Sequence, residues 1–139
     1  MMSKAFTLVE VLIVVIVLGI LAAIVVPQFS NATTDSNLTA LKTNLQTIRG
    51  QIQLYKVQHN DVWPTEATFA TQMTGNSDVS GSTGTGASYP YGPYLQTIPS
   101  NPYTNTNTVG STAAGTTAWY YDAATGTFKA NDTAAHGSY

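Results

Sequence analysis

The chain has 139 residues, only 9% of them charged, and a net charge of −2, so it lacks the basic surplus that several phosphate contacts demand and no nucleic-acid partner is expected. It contains no cysteine, which excludes disulfides, metal–thiolate sites, thiol redox chemistry and cysteine nucleophiles. The charge is unevenly placed: residues 1–60 carry Lys4, Lys42, Arg49 and Lys56 against Glu10 and Asp35, whereas 61–139 carry Lys129 against Asp61, Glu66, Asp78, Asp122 and Asp132.

Residues 1–5 are short and hold one basic side chain, Lys4. From Phe6 to Val26 the chain is almost continuously apolar and then meets Pro27. As a helix these residues are long enough to cross a hydrocarbon core of about 30 Å. A cleaved secretory signal has a shorter apolar region, of about 7–15 residues, ending in small residues; here the run is longer and closes on Pro27-Gln28-Phe29. Lys4 ahead of the span and an acidic segment after it predict a cytoplasmic N-terminus and an external head. Glu10 stands just inside the apolar edge. A carboxylate there costs several kcal/mol unless it is neutralised, paired or close to the interface. It can snorkel to the headgroups with help from the helix dipole, or it can meet a cation supplied by another subunit. Gly19 and Pro27 are the two helix-weakening residues, and Pro27 predicts a kink.

After the polar run 28–37, Leu38, Leu41, Leu45, Ile48, Ile52 and Tyr55 alternate in steps of three and four. This spacing predicts an amphipathic helix with one narrow apolar seam, ending near His59-Asn60. Measured from Phe6 the helix would span ~80 Å at 1.5 Å per residue. Lys42, Arg49 and Lys56 recur every seven residues and form one stripe beside the seam. The stripe is either a solvated face or a contact for the acidic head of a neighbouring subunit.

Trp63 to Phe69 predicts a short helix capped by Thr65, with Phe69 set in the core. Met73 to Ala87 is rich in Gly, Ser and Thr and reads as a mobile surface loop. Gly81–Gly86 matches no phosphate-loop pattern. Ala118–Tyr121 and Thr127–Ala130 predict two strands joined by a turn at Asp122–Gly126, with a further strand near Thr106–Val109. His59 and His136 are the two imidazoles. Neither sits in a metal-site or nucleophile-elbow pattern, so no enzymatic activity is expected.

Ala5-Phe6-Thr7-Leu8-Val9-Glu10-Val11-Leu12-Ile13, followed by Gly19 and Pro27, resembles the N-terminus of type IV pilins and of type II secretion pseudopilins. The resemblance implies that a prepilin peptidase cuts between Ala5 and Phe6 and methylates the new Phe6 amine. It also implies that Glu10 meets the Phe6 amine of a neighbouring subunit, and that the 19–27 stretch loses helix on assembly. The sequence departs from the family at Ala5, where Gly is usual. Gly92–Leu95, Ile98-Pro99 and Asn101–Tyr103 resemble a segment of the major pseudopilin, and the lack of a cysteine pair favours the same branch.

The fold expected is therefore α+β: a long N-terminal helix, transmembrane then amphipathic, on a small antiparallel sheet, the pilin fold. Its parts would be a leader at 1–5, an assembly helix at 6–27, an amphipathic half at 28–60 and a head at 61–139. The implied function is a filament subunit, the major pseudopilin of a type II secretion system. The alternatives are the major pilin of an extracellular pilus and a membrane-anchored monomeric binding protein. Self, the prepilin peptidase and an inner-membrane assembly platform are the implied partners. The implied location is the cytoplasmic membrane, then a periplasmic or extracellular filament. No cofactor is expected. Major pseudopilins hold calcium in an acidic C-terminal loop. Here that region offers Asp122, Asn131 and Asp132, and calcium's six to eight oxygens would need backbone carbonyls and water as well.

Overall fold

The computed structural model describes residues 6–112 and 114–139. Helix α1 (Leu8–Gln58) begins the chain, and two compact units divide between Ser36 and Asn37. In the first unit α1 continues unbroken past Gly19 and Pro27. Its aliphatic side chains are exposed, Leu12 at 52%, Ile16 at 53% and Ile24 at 57% among them.

The second unit is built on the predicted seam. Leu41, Leu45, Ile48, Ile52 and Tyr55 are all buried, Leu38 is packed against them, and His59 extends the row by one more step. A three-four spacing brings these residues to one side of a 3.6-residue helix, and that side is covered by the rest of the chain. The helix stops where the sequence leads one to expect. Asn60 takes φ 52°, and the Asp61 N–H donates to Lys56 O at 3.0 Å. That six-to-one bond over a left-handed residue is a Schellman closure, which satisfies a carbonyl the helix would otherwise leave open.

Helix α2 (Phe69–Thr74) begins three residues later than a Thr65 cap would place it. Phe69, Gln72 and Met73 are its buried residues, so core contact fixes its position. Thr68 occupies the cap position without a side-chain bond to the helix, and Thr65 Oγ1 lies 2.5 Å from Thr68 Oγ1 instead. The buried Gln72 amide ties two neighbours together: Oε1 accepts from Thr65 N at 2.9 Å and Nε2 donates to Gly81 O at 2.8 Å.

The stretch after α2 is more ordered than its composition suggests. Strands β1 (Asn76–Ser77) and β2 (Thr83–Gly84) pair antiparallel. Ser77 is fully buried, with its Oγ 2.9 Å from His59 Nε2. His59 in turn stacks on Tyr55 at 3.7 Å between ring centroids. Gly-, Ser- and Thr-rich composition gave no sign of this anchoring, because it depends on a histidine 18 residues away.

The main sheet has the order β3 (Val109–Gly110), β4 (Trp119–Asp122), β5 (Thr127–Ala130). The β4–β5 hairpin is as predicted, with Trp119 opposite Ala130 and Asp122 opposite Thr127. Strand β3 falls at the end of the expected segment and runs parallel to β4, so the sheet is mixed. Trp119, Tyr121, Phe128 and Ala130 point inward and are buried, alternating with Tyr120 and Lys129 on the outer face. Buried polar ends find carbonyls: Trp119 Nε1 donates to Pro99 O at 2.8 Å and Tyr121 OH to Pro64 O at 2.7 Å. Gly126 closes the hairpin at φ 70°, and a Cβ there would lie 2.6 Å from the Trp63 ring.

Candidate assembly surface

The apolar half of α1 carries the strongest physical demand in the molecule. Covering one aliphatic side chain contributes about 1.5–3 kcal/mol relative to water. A dozen of them therefore outweigh the whole stability of an ordinary domain, about 5–15 kcal/mol. The helix is long and apolar enough to cross a membrane. In lipid that drive is already satisfied, so association between such helices rests on packing and on polar contacts. Glu10 is the one charged residue between Phe6 and Thr34.

Thr7 starts α1. The Glu10 N–H donates to Thr7 Oγ1 at 3.2 Å and to Thr7 O at 3.1 Å. Thr7-Leu8-Val9-Glu10 is thus the S/T-x-x-E arrangement of a helix N-terminus, a signal already present in the sequence. It places the Glu10 carboxylate in the first turn, where the helix dipole favours negative charge. Ala5, on the leader side of the expected cut, lies outside the described residues. Phe6 is 78% exposed. At Gly19 a Cβ would meet nothing within 4 Å.

The basic stripe is drawn into its own head. Arg49 Nε donates to Phe128 O at 2.8 Å and Nη2 to Tyr139 O at 2.5 Å. Lys42 Nζ sits 4.5 Å from the Tyr139 ring centroid, and Lys56 Nζ lies 4.4 Å from that of Trp63 and 3.9 Å from Asp61 Oδ1. Lys42 and Arg49 thus hold α1 to the C-terminal end of the chain, and Lys56 holds it to the segment just after the helix.

A second cluster closes the C-terminal end. Asn101, fully buried, donates through Nδ2 to Ala118 O and Asp132 Oδ1, both at 3.0 Å, and accepts from Tyr103 N at 2.9 Å. Asp132 Oδ2 also meets His136 Nδ1 at 2.5 Å. Burial pushes the Asp132 carboxyl up, but the bonds from His136 and Asn101 outweigh it and hold the group below the usual carboxylate range. Asp122 is engaged elsewhere: Oδ1 accepts from Ala124 N at 2.9 Å and Oδ2 from Thr125 Oγ1 at 2.8 Å. Asn131 Nδ2 donates to Thr117 Oγ1 at 2.8 Å. The three side chains that calcium would need therefore serve three separate local networks. Among the described residues no group of three or more His, Cys, Asp or Glu side chains is placed to hold a metal ion. These residues do not fit a calcium site. Among the described residues every buried side-chain nitrogen and oxygen has a hydrogen-bond partner.

A helix long and apolar enough to cross a membrane, followed by a small α+β head, fits the class of membrane-anchored filament subunits. The prokaryotic N-terminal methylation motif matches residues 1–26. The chain is 34% identical over 85 residues to the type IV narrow pilus major component PilA5 of Thermus thermophilus, covering 61% of this chain and 72% of that protein. It is 37% identical over 57 residues to the type II secretion system core protein G of Pseudomonas aeruginosa, covering 41% of this chain and 40% of that one. With the Klebsiella pneumoniae protein of the same name it shares 25% identity over 101 residues, 73% of this chain and 69% of the relative. No solved structure matches. The chain belongs to the type IV pilin and pseudopilin superfamily.

Proposed function

We propose that this chain is a structural subunit of a helical filament, held in the cytoplasmic membrane until assembly and then polymerised through α1. The observation that carries the reading is the exposed apolar half of α1, with Glu10 as its one charge, joined to a head whose polar interior is satisfied. Its N-terminus would face the cytoplasm and its head the outside. A prepilin peptidase would cut before Phe6 and methylate the new amine, and an inner-membrane platform would drive assembly. The freed Phe6 amine of one copy would then pair with Glu10 of the next. Leaving one carboxylate in an otherwise apolar bundle fixes register, the best-attested use of a buried charge. Gly19 and Pro27 bound the stretch that would lose helix in the filament. The Lys42, Arg49 and Lys56 stripe is proposed to shape the subunit rather than to bridge subunits, because all three already hold partners in their own head.

The filament proposed is the pseudopilus of a type II secretion system, supported by the similarity to the two core proteins G and by the Gly92–Tyr103 segment. A surface pilus is the second reading. It is supported by the match to the pilus component, which covers most of that protein, and by side chains that do not suit calcium. Deleting the gene separates the two: loss of exoprotein release with no change in surface filaments supports the pseudopilus, and the reverse supports the pilus. Mass spectrometry of the N-terminus tests processing, with methylated Phe6 expected and an intact Met1 counting against it.

A further inference from the structure

We propose that a concave site on the outer face of the main sheet binds one acidic sugar residue, a pyranose ring bearing a carboxylate. Tyr120 and Lys129 stand opposite each other on β4 and β5, both on the outer face, and form its floor. One wall is the β3–β4 crossover, through Thr112 and Ala114. The other is the segment after β5, through Thr133 and Ala134. The cavity between them is about 270 Å³. Pockets for larger ligands run from about 300 to 1,000 Å³, so this one suits a single ring.

Both walls are fixed from within the head. Gly115 N donates to Asn131 O, and the buried Asn131 donates through Nδ2 to Thr112 O at 3.3 Å and to Thr117 Oγ1 at 2.8 Å. The crossover is thereby tied to the end of β5. On the other side the Gly137 N–H donates to Thr133 O at 3.1 Å, and a Cβ at Gly137 would lie 3.4 Å from Ala130 O. That close approach holds the C-terminal segment against β5. A cavity formed before the ligand arrives binds it with little loss of loop freedom.

The ligand's chemistry follows from the donors the site holds. Lys129 is the one basic residue between 61 and 139. Its Nζ lies 4.6 Å from the Tyr120 ring centroid. Among the described residues neither this ammonium nor the Tyr120 hydroxyl has a hydrogen bond or an ion pair. The acidic side chains nearest to Lys129 in the chain are engaged elsewhere, Asp122 by Ala124 N and Thr125 Oγ1, Asp132 by Asn101 and His136. Thr133 Oγ1 accepts from His136 N at 3.3 Å, which leaves its own proton to donate. A positive charge and two hydroxyl donors at one cavity call for an anion with further oxygens. The methyl groups of Ala114 and Ala134 add an apolar rim that suits the C–H face of a sugar ring. A carboxylate side chain from a protein partner would satisfy Lys129 but leave most of the cavity empty. The site lies wholly within the head, so it stands independently of the filament reading.

The test is calorimetric titration of the full-length, detergent-solubilised chain with the methyl glycosides of glucuronic, galacturonic and N-acetylneuraminic acid. Methyl glucoside and acetate serve as controls for the ring without the charge and the charge without the ring. One or more of the acidic glycosides is expected to saturate a single site and to bind about tenfold more tightly than either control. Lys129→Gln should weaken that binding about tenfold, Lys129→Arg should retain it, and Ala134→Leu should abolish it by filling the cavity. These variants should melt like the parent, because the fold draws no hydrogen bond from the Lys129 ammonium and Ala134 is exposed. Lys42→Gln removes a cation from another part of the head and should leave binding unchanged. No saturable binding of any acidic glycoside would overturn the proposal. Acetate binding as tightly as the glycosides, or equal losses in Lys129→Gln and Lys42→Gln, would overturn it as well, since charge alone would then account for the contact.

Discussion

Replacing Arg49 by alanine should unfold the head before it disturbs anything between subunits. The guanidinium joins α1 to β5 through Phe128 O, 79 residues away, and to Tyr139 through its main-chain oxygen. A hydrogen bond from a charged donor contributes about 1.5–3 kcal/mol net. Arg49 is half-buried rather than enclosed, which argues for the lower part of that range for each of the two bonds. The expected loss is thus about 3 kcal/mol. For a head of this size each kcal/mol lowers Tm by about 4–8 °C, so a fall of about 12–24 °C should follow. The assay is thermal melting of the detergent-solubilised chain, followed by the near-ultraviolet signal of Trp63 and Trp119, both in the head. Arg49→Glu should be at least as damaging, because a carboxylate would then face two carbonyl oxygens. If either variant melts like the parent and fails only in assembly, the clamp is refuted, and the stripe is an inter-subunit contact after all.

Ile52→Ala removes a fully packed seam residue and should cost about 2–5 kcal/mol by urea denaturation. Gly126→Ala forces a Cβ into the Trp63 ring at a φ of 70°; a loss of about 1–3 kcal/mol is expected, whereas Gly115→Ala, which meets no neighbour within 4 Å, should lack the steric part. The folded-state pKa of Asp132 lies below its unfolded value, so the unfolded chain binds more protons as acid is added. The stability due to this group is complete above about pH 4, the unfolded carboxylate range, and is lost as pH falls through the lower folded value. Urea midpoints measured downward from pH 5 should therefore fall more steeply for the parent than for Asp132→Asn; parallel profiles would remove the cluster from the acid response.

The seam of α1 was legible because periodicity reports which face a helix buries, and Leu41 to Tyr55 repeat with little interruption. The β4–β5 hairpin was legible because its aromatic alternation and its Gly turn are local. What periodicity does not report is who stands opposite. The stripe at Lys42, Arg49 and Lys56 was visible as a stripe, but the partners of Lys42 and Arg49, at Phe128 and Tyr139, are distant in sequence. The same limit hid the His59–Ser77 anchor, and with it the order of the 73–87 stretch. Parallel pairing of β3 with β4 was hidden for a related reason: a two-residue strand has too little pattern to show its direction. Thr65 looked like a cap because hydroxyls cap helices, yet tertiary contact of Phe69 and Met73 decided where α2 begins. At the N-terminus the miss was of another kind. Thr7 and Glu10 form a local helix-start signal, legible in four residues but masked by the apolar run that surrounds it.

The central claim is that copies of this chain polymerise through α1, with Glu10 of one copy meeting the amine of the next. A helical reconstruction of purified filaments tests it most directly. It should show this chain as the repeating unit, Phe6 as its first residue, the apolar half of α1 inside, and the Phe6 amine within hydrogen-bonding distance of a neighbour's Glu10 carboxylate. Filaments joined through their heads, with the apolar helices exposed or lipid-bound and Glu10 far from any amine, would contradict it.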